Sequence, residues 1–247
     1  MTAPSSPTDR LAELRANLAA VRSRIEAGCQ AAGRSSAEIT LIAVTKFFPV
    51  TDVALLAELG VTDVGESRDQ DASVKAAELA EHTSIAVRWH FIGRLQTNKA
   101  RSVARYADLV HSVDRPGLAD ALADGARRAE RSALDVLVQL NLDESAEDVP
   151  TGRGGGTADD LLRLADQVAA SDVLRLAGIM AIAPLGGDAD RAFDRLAEVA
   201  QRLRADHPQA AVVSAGMSED LEAALRHGAT HVRIGTALLG RREPQFG

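Results

Sequence analysis

Short apolar segments rich in β-branched residues alternate with helix-like patterns from Gly33 to the end of the chain. Neither kind of segment clusters in one half of the sequence, so the pattern predicts an α/β protein in which each strand is followed by a helix. The predicted strands cover residues 39–46, 61–66, 87–93, 109–113, 134–141, 175–181, 211–214 and 231–235. The predicted helices between them cover residues 51–59, 68–80, 96–105, 116–130, 158–170, 189–205 and 218–227.

The predicted strands are apolar on both faces, which is typical of a parallel sheet covered by helices. Strands that are each joined to the next by a helix close most economically into a single (β/α)8 TIM barrel, and 247 residues is a usual size for one. The alternative is an open doubly wound sheet, which binds its ligand at one switch point. No G-x-G-x-x-G motif follows a predicted strand, and the barrel is therefore favoured.

An additional N-terminal helix precedes the first strand. Ser6 suits its N-cap, Pro7 its first helical position and Asp9 the acidic position of a capping box. Apolar residues then recur at spacings of three and four: Leu11, Leu14, Leu18, Val21 and Ile25. We expect residues 1–7 to be a flexible N-terminus and residues 8–247 to form a single domain.

The composition indicates a globular protein without a membrane segment. Hydrophobic residues make up 46% of the chain and charged residues 26%, which excludes disorder as the main state. No apolar run approaches the roughly 18 residues that span a bilayer, and residues 1–7 lack the features of a secretory signal, so we expect a cytoplasmic protein. The net charge of −7 argues against a nucleic-acid surface, and the single cysteine, Cys29, excludes an internal disulfide.

A glycine-rich segment follows the fifth predicted strand. It runs from residue 143 to residue 157 and contains Gly-Arg-Gly-Gly-Gly at residues 152–156. Such a segment is either a mobile lid or a flexible connection, and composition alone favours the connection.

Lys46 terminates the first predicted strand, and the sites of TIM barrels lie at the carboxyl ends of the strands. One interpretation is an end-of-strand cation whose stem covers apolar surface. The other is an amine that forms a Schiff base with a carbonyl compound. Lys46 by itself does not decide between them.

The ends of the seventh and eighth predicted strands carry residues suited to a phosphate group. Arg233 is followed by Gly235, whose backbone allows close approach, and by the hydroxyl of Thr236. Ser218 follows the loop that begins at Ser214, and barrel phosphate sites favour the loops after these two strands. The alternative is that Ser218 is an ordinary N-cap with an acidic first turn.

Other polar residues near strand ends are less informative. His90 lies near the end of the third predicted strand, and a lone buried histidine is more often a hydrogen-bonded core residue than a reactive one. No spacing of histidine, aspartate or glutamate resembles a metal site, so we expect no metal.

The strand-end motifs together resemble those of the pyridoxal phosphate homeostasis proteins, and the match runs from the first helix to Gly240. The motifs are AVTKFFP at residues 43–49, VGES at 64–67, WHFIGRLQTNK at 89–99, GIMAIAP at 178–184, SAGMSED at 214–220 and VRIGT at 232–236. Two positions depart from the family pattern, because Ser67 stands where the family has asparagine and Ala215 where it has methionine.

The resemblance implies a barrel akin to the N-terminal domain of alanine racemase, with pyridoxal 5'-phosphate (PLP) bound as a Schiff base to Lys46. It implies that Arg233 faces the pyridine nitrogen and that Ser218, Gly235 and Thr236 hold the phosphate. Further candidate contacts to the cofactor are Met217, His90, Asn98, Met180 and Ser214.

The resemblance favours a carrier of PLP over an enzyme. Barrel racemases add a tyrosine from a second domain as the other base, whereas the only tyrosine here is Tyr106. Tyr106 ends a helix that is expected to run away from the strand carboxyl ends. Eleven residues follow Thr236, too few for a second domain. An arginine beside the pyridine nitrogen also disfavours its protonation and weakens the ring as an electron sink.

We therefore expect a monomer that holds PLP and buffers it or delivers it to PLP-dependent apo-enzymes, without evident catalytic turnover, in intracellular vitamin B6 and amino-acid homeostasis. Three alternatives stay open. They are a PLP-dependent racemase, another lysine Schiff-base enzyme such as an aldolase for a phosphorylated sugar, and a scaffold that acts through its surface.

Overall fold

A computed structural model describes residues 7–143 and 154–240 and shows a closed barrel of parallel strands. The strands are β1 (Thr40–Val44), β2 (Asp63–Glu66), β3 (Arg88–Phe91), β4 (Leu109–Val113), β5 (Leu134–Leu140), β6 (Leu174–Ala181), β7 (Val212–Ser214) and β8 (His231–Ile234). They follow one another around the barrel in chain order, and β8 pairs with β1 to close it. The predicted TIM barrel is confirmed, and the open sheet is wrong.

Helices cover the outside of the barrel. They are α1 (Pro7–Ala31), α2 (Val50–Glu58), α3 (Asp69–Glu78), α4 (Ala100–Tyr106), α5 (Pro116–Arg128), α6 (Ala158–Ala169), α7 (Ala189–Asp206), α8 (Leu221–Arg226) and α9 (Thr236–Leu239). Single 3-10 turns lie at Ser36–Glu38, Leu79–Glu81 and Thr97–Lys99. No described helix is long and apolar enough to cross a bilayer.

The additional helix α1 packs on the segment that follows β7 and β8. Its predicted apolar stripe is buried at Leu14, Leu18, Val21 and Ile25. Its polar residues bind the backbone of the same segment: the Asn17 side-chain amide donates to the carbonyl of Leu238 (3.0 Å), Arg24 to that of Ser218 (3.0 Å) and Arg10 to that of Leu239 (3.0 Å). Helix α1 therefore fixes two loops at the carboxyl end of the barrel.

The sheet is parallel throughout and contains local irregularities at β4. Val110 pairs with Val136 and Val113 with Val138, so β4 has one residue more than β5 over this stretch. Such a bulge re-aims side chains. The bulged stretch includes His111, which is fully buried.

Several predicted boundaries differ from the observed ones. Strand β1 ends at Val44, two residues before Lys46, because the chain turns there. Helix α8 begins at Leu221 rather than at residue 218. The predicted N-cap Ser6 and residues 152–153 of the glycine-rich segment lie outside the described residues. Gly156 lies beside β5, since its N–H donates to the carbonyl of Gln139 (3.0 Å).

Candidate functional site

The carboxyl ends of β1 and β8 lie side by side and bring together two of the predicted site segments. Ala43 pairs with Ile234, so the chain leaves the two strands at the same height. A β-carbon added at Gly235 would lie 3.5 Å from Cβ of Val44, which is an ordinary van der Waals contact. Lys46 is two residues beyond Val44, and it therefore starts from the strand end that borders Gly235 and Thr236.

Lys46 lies in a tight turn. The N–H of Phe48 donates to the carbonyl of Thr45 (3.0 Å), and Phe47 between them has a φ of 70°. A positive φ at the third turn position is the mark of a type II turn, where glycine is usual. A bulky residue there costs on the order of 1–2 kcal/mol, and such strain is often found at functional sites.

Two buried charged residues, Lys75 and Glu66, hold this turn through hydrogen bonds. Nζ of Lys75 on α3 donates to the carbonyl of Thr45 (2.8 Å) and to Oε1 of Glu66 at the end of β2 (2.6 Å). The hydroxyl of Thr45 donates to the same carboxylate oxygen (2.8 Å). These bonds hold the residue before Lys46 in place, so a buried ion pair positions the backbone of the candidate nucleophile.

Lys46 itself is exposed, and within the described ranges its amine has neither a hydrogen bond nor an ion pair. The surroundings are therefore not desolvated. A small carbonyl compound can reach an exposed amine without displacing a protein partner. This arrangement suits capture of a ligand from solution.

Arg233 is buried inside the barrel near its carboxyl end. Its Nη1 donates to Oγ of Ser214 (2.7 Å) and its Nη2 to the carbonyl of Ala181 (3.0 Å). Burial lowers the pKa of Arg233 to about 10, and the charge of Asp220 partly opposes this effect. No ion pair to Arg233 is present in the described part of the chain, so a buried cation lacks a contacting anion.

The loop after β7 differs from the expected helix start. Met217 donates its N–H to Oδ1 of Asp220, and the helix begins only at Leu221. Gly216 has a φ of 92°, a conformation that favours glycine. The interpretation of Ser218 as an N-cap is therefore wrong, because Asp220 occupies that position. Ser218 lies in the preceding turn and is half-buried.

His90 lies in the barrel interior, where both of its ring nitrogens have partners. Nε2 lies 2.8 Å from Oδ1 of Asp63 at the start of β2, and Nδ1 lies 2.9 Å from Nε2 of His111. Nδ1 of His111 lies 2.9 Å from Oγ of Ser214. His90 and Ser214 thus belong to one buried chain of side chains that ends at Arg233.

The remaining candidates lie in different surroundings. Met180 is buried beside Leu109 and Leu137 in a small apolar cluster, and it pairs with Ser214 across β6 and β7. Asn98 is exposed in the 3-10 turn after β3, and Met217 is half-buried in the loop after β7.

Sequence reasoning missed Asp63, His111 and Lys75. The signal for His111 was present, since it interrupts the apolar run Leu109–Val113. The inward direction of His111 depends on the bulge in β4, which has no clear sequence signature. The contact between Lys75 and the turn at Thr45 joins two elements far apart in the chain and could not be inferred from spacing.

Tyr106 is not where its helix direction suggested. It interacts with Asp69 and Glu66, which lie beside the carboxyl end of β2, so its hydroxyl does not lie at the opposite face of the barrel. Burial raises the pKa of Tyr106, and the neighbouring carboxylates of Asp69 and Glu66 raise it further. A phenol that stays protonated has no phenolate with which to accept a proton.

Comparison with known proteins gives the family. A sequence model described as alanine racemase, N-terminal domain, matches residues 10–243. The pyridoxal phosphate homeostasis protein of Mycobacterium tuberculosis (strain ATCC 25618 / H37Rv) is 47% identical over 252 residues, which cover 96% of each chain. The chain belongs to the pyridoxal phosphate homeostasis protein family. Its Escherichia coli (strain K12) member is 38% identical over 230 residues, covering 92% of this chain and 96% of that protein.

Solved structures of this family and of related barrels agree with the fold. PipY of Synechococcus elongatus, described with PLP bound, superimposes with a TM-score of 0.78 at 31% identity and covers 92% of this chain and 100% of its own. An alanine racemase of Clostridium difficile has a TM-score of 0.69 at 13% identity, with 96% of this chain and 61% of the racemase covered. The racemase therefore shares the barrel fold and has a long additional part.

Proposed function

We propose that this chain binds PLP through a Schiff base to Nζ of Lys46 and holds it reversibly, so that the protein buffers PLP or passes it to apo-enzymes. PLP supplies an aldehyde whose oxygen leaves as water when the amine attaches. Arg233, together with the Ser218, Gly235 and Thr236 group, provides the surrounding contacts. Other members of the family carry the name of PLP homeostasis, and PipY is described with PLP bound.

One observation carries the proposal: the pairing of β1 with β8 brings the strand end before Lys46 beside Gly235. The backbone of Gly235 has a φ of −108° and a ψ of −84°. A β-carbon added there would lie 3.5 Å from Cβ of Val44, so packing against the described residues does not require glycine. A ligand that approaches this backbone closely fits the missing side chain.

The charges of the site fit an anionic ligand. The amine of Lys46 and the guanidinium of Arg233 have no contacting carboxylate in the described residues, and PLP carries a phosphate. Burial of Arg233 lowers its pKa only to about 10, so it is a cation at neutral pH. A permanent cation beside a ring nitrogen disfavours protonation of that nitrogen, which supports holding the cofactor rather than forming carbanions on it.

The deciding experiment is absorbance of the purified protein with PLP before and after borohydride, followed by mass mapping of the modified peptide. The sequence contains three lysines, Lys46, Lys75 and Lys99, which makes the map unambiguous. We expect modification at Lys46 and loss of the visible band in Lys46→Ala. Lys99→Ala is the matched control and should keep the band, whereas modification of Lys75 or Lys99 instead would refute the assignment.

Delivery and turnover are tested separately. We expect the loaded protein to activate a PLP-dependent apo-enzyme faster than the same concentration of free PLP does. No acceleration would argue against delivery and leave buffering. Exchange of the α-proton of alanine that disappears in Lys46→Ala would instead support a racemase.

We also propose that the protein is a monomer with residues 8–247 as one PLP-binding domain. Sedimentation equilibrium of the loaded protein should give the mass of one chain, 26.0 kDa. A stable dimer at micromolar concentration would contradict this expectation.

A further inference from the structure

A chain of hydrogen-bonded side chains crosses the barrel interior from Arg233 to Asp63. We call Ser214, His111, His90 and Asp63 the interior relay. At the carboxyl end, the guanidinium of Arg233 can only donate, so Oγ of Ser214 accepts. Oγ of Ser214 also lies 2.9 Å from Nδ1 of His111, and because a hydroxyl has two lone pairs as well as one proton, this end alone leaves the direction of that bond open.

The carboxylate at the other end sets the direction of the bonds. Asp63 can only accept, so His90 carries its proton on Nε2 and donates it to Asp63. A neutral His90 then accepts at Nδ1, so His111 carries its proton on Nε2 and donates it to His90. A neutral His111 accepts at Nδ1, so Ser214 donates to His111 while it accepts from Arg233. One set of tautomers therefore satisfies every bond of the relay.

The protonation states agree with this direction. Burial lowers the pKa of His111 well below its ordinary value, and the neighbouring His90 and Arg233 lower it further. Burial also lowers the pKa of His90, although Asp63 opposes the shift. Burial acts to raise the pKa of Asp63, but the hydrogen bond from His90 and the electrostatic effects of His90, Arg88 and His231 together outweigh it, and the net shift is downward. Both histidines are thus neutral between a cationic and an anionic end.

Other charged groups surround the amino end of the relay. Arg88, Asp108 and His231 act electrostatically on His90. A cavity of about 550 Å³ opens beside Asp63 at the amino end of the barrel and is also lined by Arg88 and Asp108. Asp63 is therefore the point at which the buried relay meets solvent, on the barrel end opposite to Lys46.

We propose that the interior relay fixes the orientation and hydrogen-bonding pattern of Arg233, and that Asp63 is thereby a positioning residue for the cofactor ring. The inference rests on the proposed binding of PLP. In a buried chain each bond polarises the next, so a change at Asp63 is felt at Arg233. Ser214, His90 and His111 act through Arg233, and none of them needs to touch the ring.

The first test uses the protein without PLP. Histidine ¹⁵N spectra at pH 7 should show His90 and His111 neutral and protonated at Nε2. Asp63→Asn keeps an acceptor and should keep both tautomers, whereas Asp63→Leu removes the acceptor and should give a mixture in His90. Protonation at Nδ1 of either histidine in the wild-type protein would overturn the relay.

The second test measures PLP affinity and the wavelength of the bound band. We expect Asp63→Leu and Ser214→Ala each to weaken binding on the order of 5-fold or more, a typical coupling between distant groups, and to shift the band. Asp63→Asn should keep the PLP affinity and the band wavelength of the wild-type protein. Asp108→Asn removes a neighbouring charge outside the relay and should change neither readout.

A double-variant cycle separates one relay from two independent effects. If both residues act through Arg233, Asp63→Leu combined with Ser214→Ala binds PLP no more weakly than Ser214→Ala alone. Additive losses, or equal band shifts in Asp63→Leu and Asp108→Asn, would overturn the proposal. Thermal melts check folding, and Ser214→Ala tests the relay if Asp63→Leu does not fold. Failure of the wild-type protein to bind PLP would refute the proposed function, while the ¹⁵N spectra still test the relay.

Discussion

The two ends of the barrel differ in whether their charged side chains have a contacting partner of opposite charge. At the amino end, Asp135 pairs with both Arg88 and Arg175, and Arg131 lies 3.6 Å from Asp108. At the carboxyl end, Lys46 and Arg233 have no contacting carboxylate in the described residues. These arginines of the amino end each face an aspartate, whereas the two cations of the carboxyl end are available to an anionic ligand.

The comparison shows that charge alone does not mark a site. The cavity at the amino end contains three arginines, Arg88, Arg131 and Arg175, yet each faces an aspartate. A ligand there would have to displace existing ion pairs. Uncompensated cations beside a glycine that packing does not require are the better indicator of binding.

The largest expected effect concerns the histidines between the two ends. The pKa of His111 is lowered well below 6.5, and burial lowers that of His231 to about 4, with His90 and Arg88 adding to the shift. Below the unfolded pKa of about 6.5 the unfolded chain binds protons that the folded protein does not, so stability falls as pH falls. Together the two histidines should lower the free energy of unfolding by about 4 kcal/mol between pH 7 and pH 5.

Urea unfolding across this pH range measures that loss. His231→Gln should reduce the loss of unfolding free energy between pH 7 and pH 5. His82→Asn, at an exposed position, should leave that loss unchanged. Equal stability at pH 7 and pH 5 would show that these histidines are protonated in the folded protein.

The second prediction separates two lysines at the carboxyl end. Lys75→Met leaves Glu66 buried without its cation and should lower the free energy of unfolding by about 3 kcal/mol. Lys46→Met should change it by less than about 0.5 kcal/mol, because Lys46 is exposed and has no partner among the residues that the structure describes. Chemical denaturation of both variants tests this contrast, which fails if the two losses are similar.

The third prediction concerns the paired amino end. Asp135→Asn removes the carboxylate that Arg88 and Arg175 share and should lower the free energy of unfolding by about 1–2 kcal/mol, since both arginines are partly exposed. PLP affinity, measured by titration, should stay within twofold of the wild type. A strong loss of PLP binding with normal folding would show that the two ends are coupled through these pairs.

The smallest effect concerns backbone strain. Phe47 (φ 70°) at the carboxyl end and Glu130 (φ 52°) after α5 are the described non-glycine residues with positive φ. Replacing either by glycine relieves strain but frees the unfolded chain, giving a net gain of about 0.5 kcal/mol. Phe47→Gly should also weaken PLP binding, because the turn that carries Lys46 becomes less fixed. Glu130→Gly is the control, and equal PLP affinity in both variants would show that Phe47 has no role in the site.

Much of the fold was predictable because strand and helix patterns are local. The apolar runs at β4 and β5 identified the strands, and β4 has the predicted boundaries. The errors lie at the ends of strands and helices, where a single contact determines which residue begins or ends the element. Asp220 binds the N–H of Met217 and moves the start of α8 beyond Ser218.

The site was predictable only in part. Lys46, Gly235 and Thr236 follow strand ends, so parallel pairing alone puts them on one side of the barrel. Lys75 and Asp63 carry no local signal, since their partners are brought to them by neighbouring elements of the barrel. Tyr106 shows the same limit, because helix direction gave the wrong surroundings for its hydroxyl.

The sequence by itself determined the order of strands and helices, the closed barrel and the side of the barrel that carries the candidate site, because these depend on hydrophobic periodicity and on the chirality of βαβ connections. Only the tertiary structure decided which charges are compensated and in which direction the buried hydrogen bonds run. Those properties depend on distances of a few ångströms between side chains far apart in the chain, and no pattern along the sequence encodes such distances.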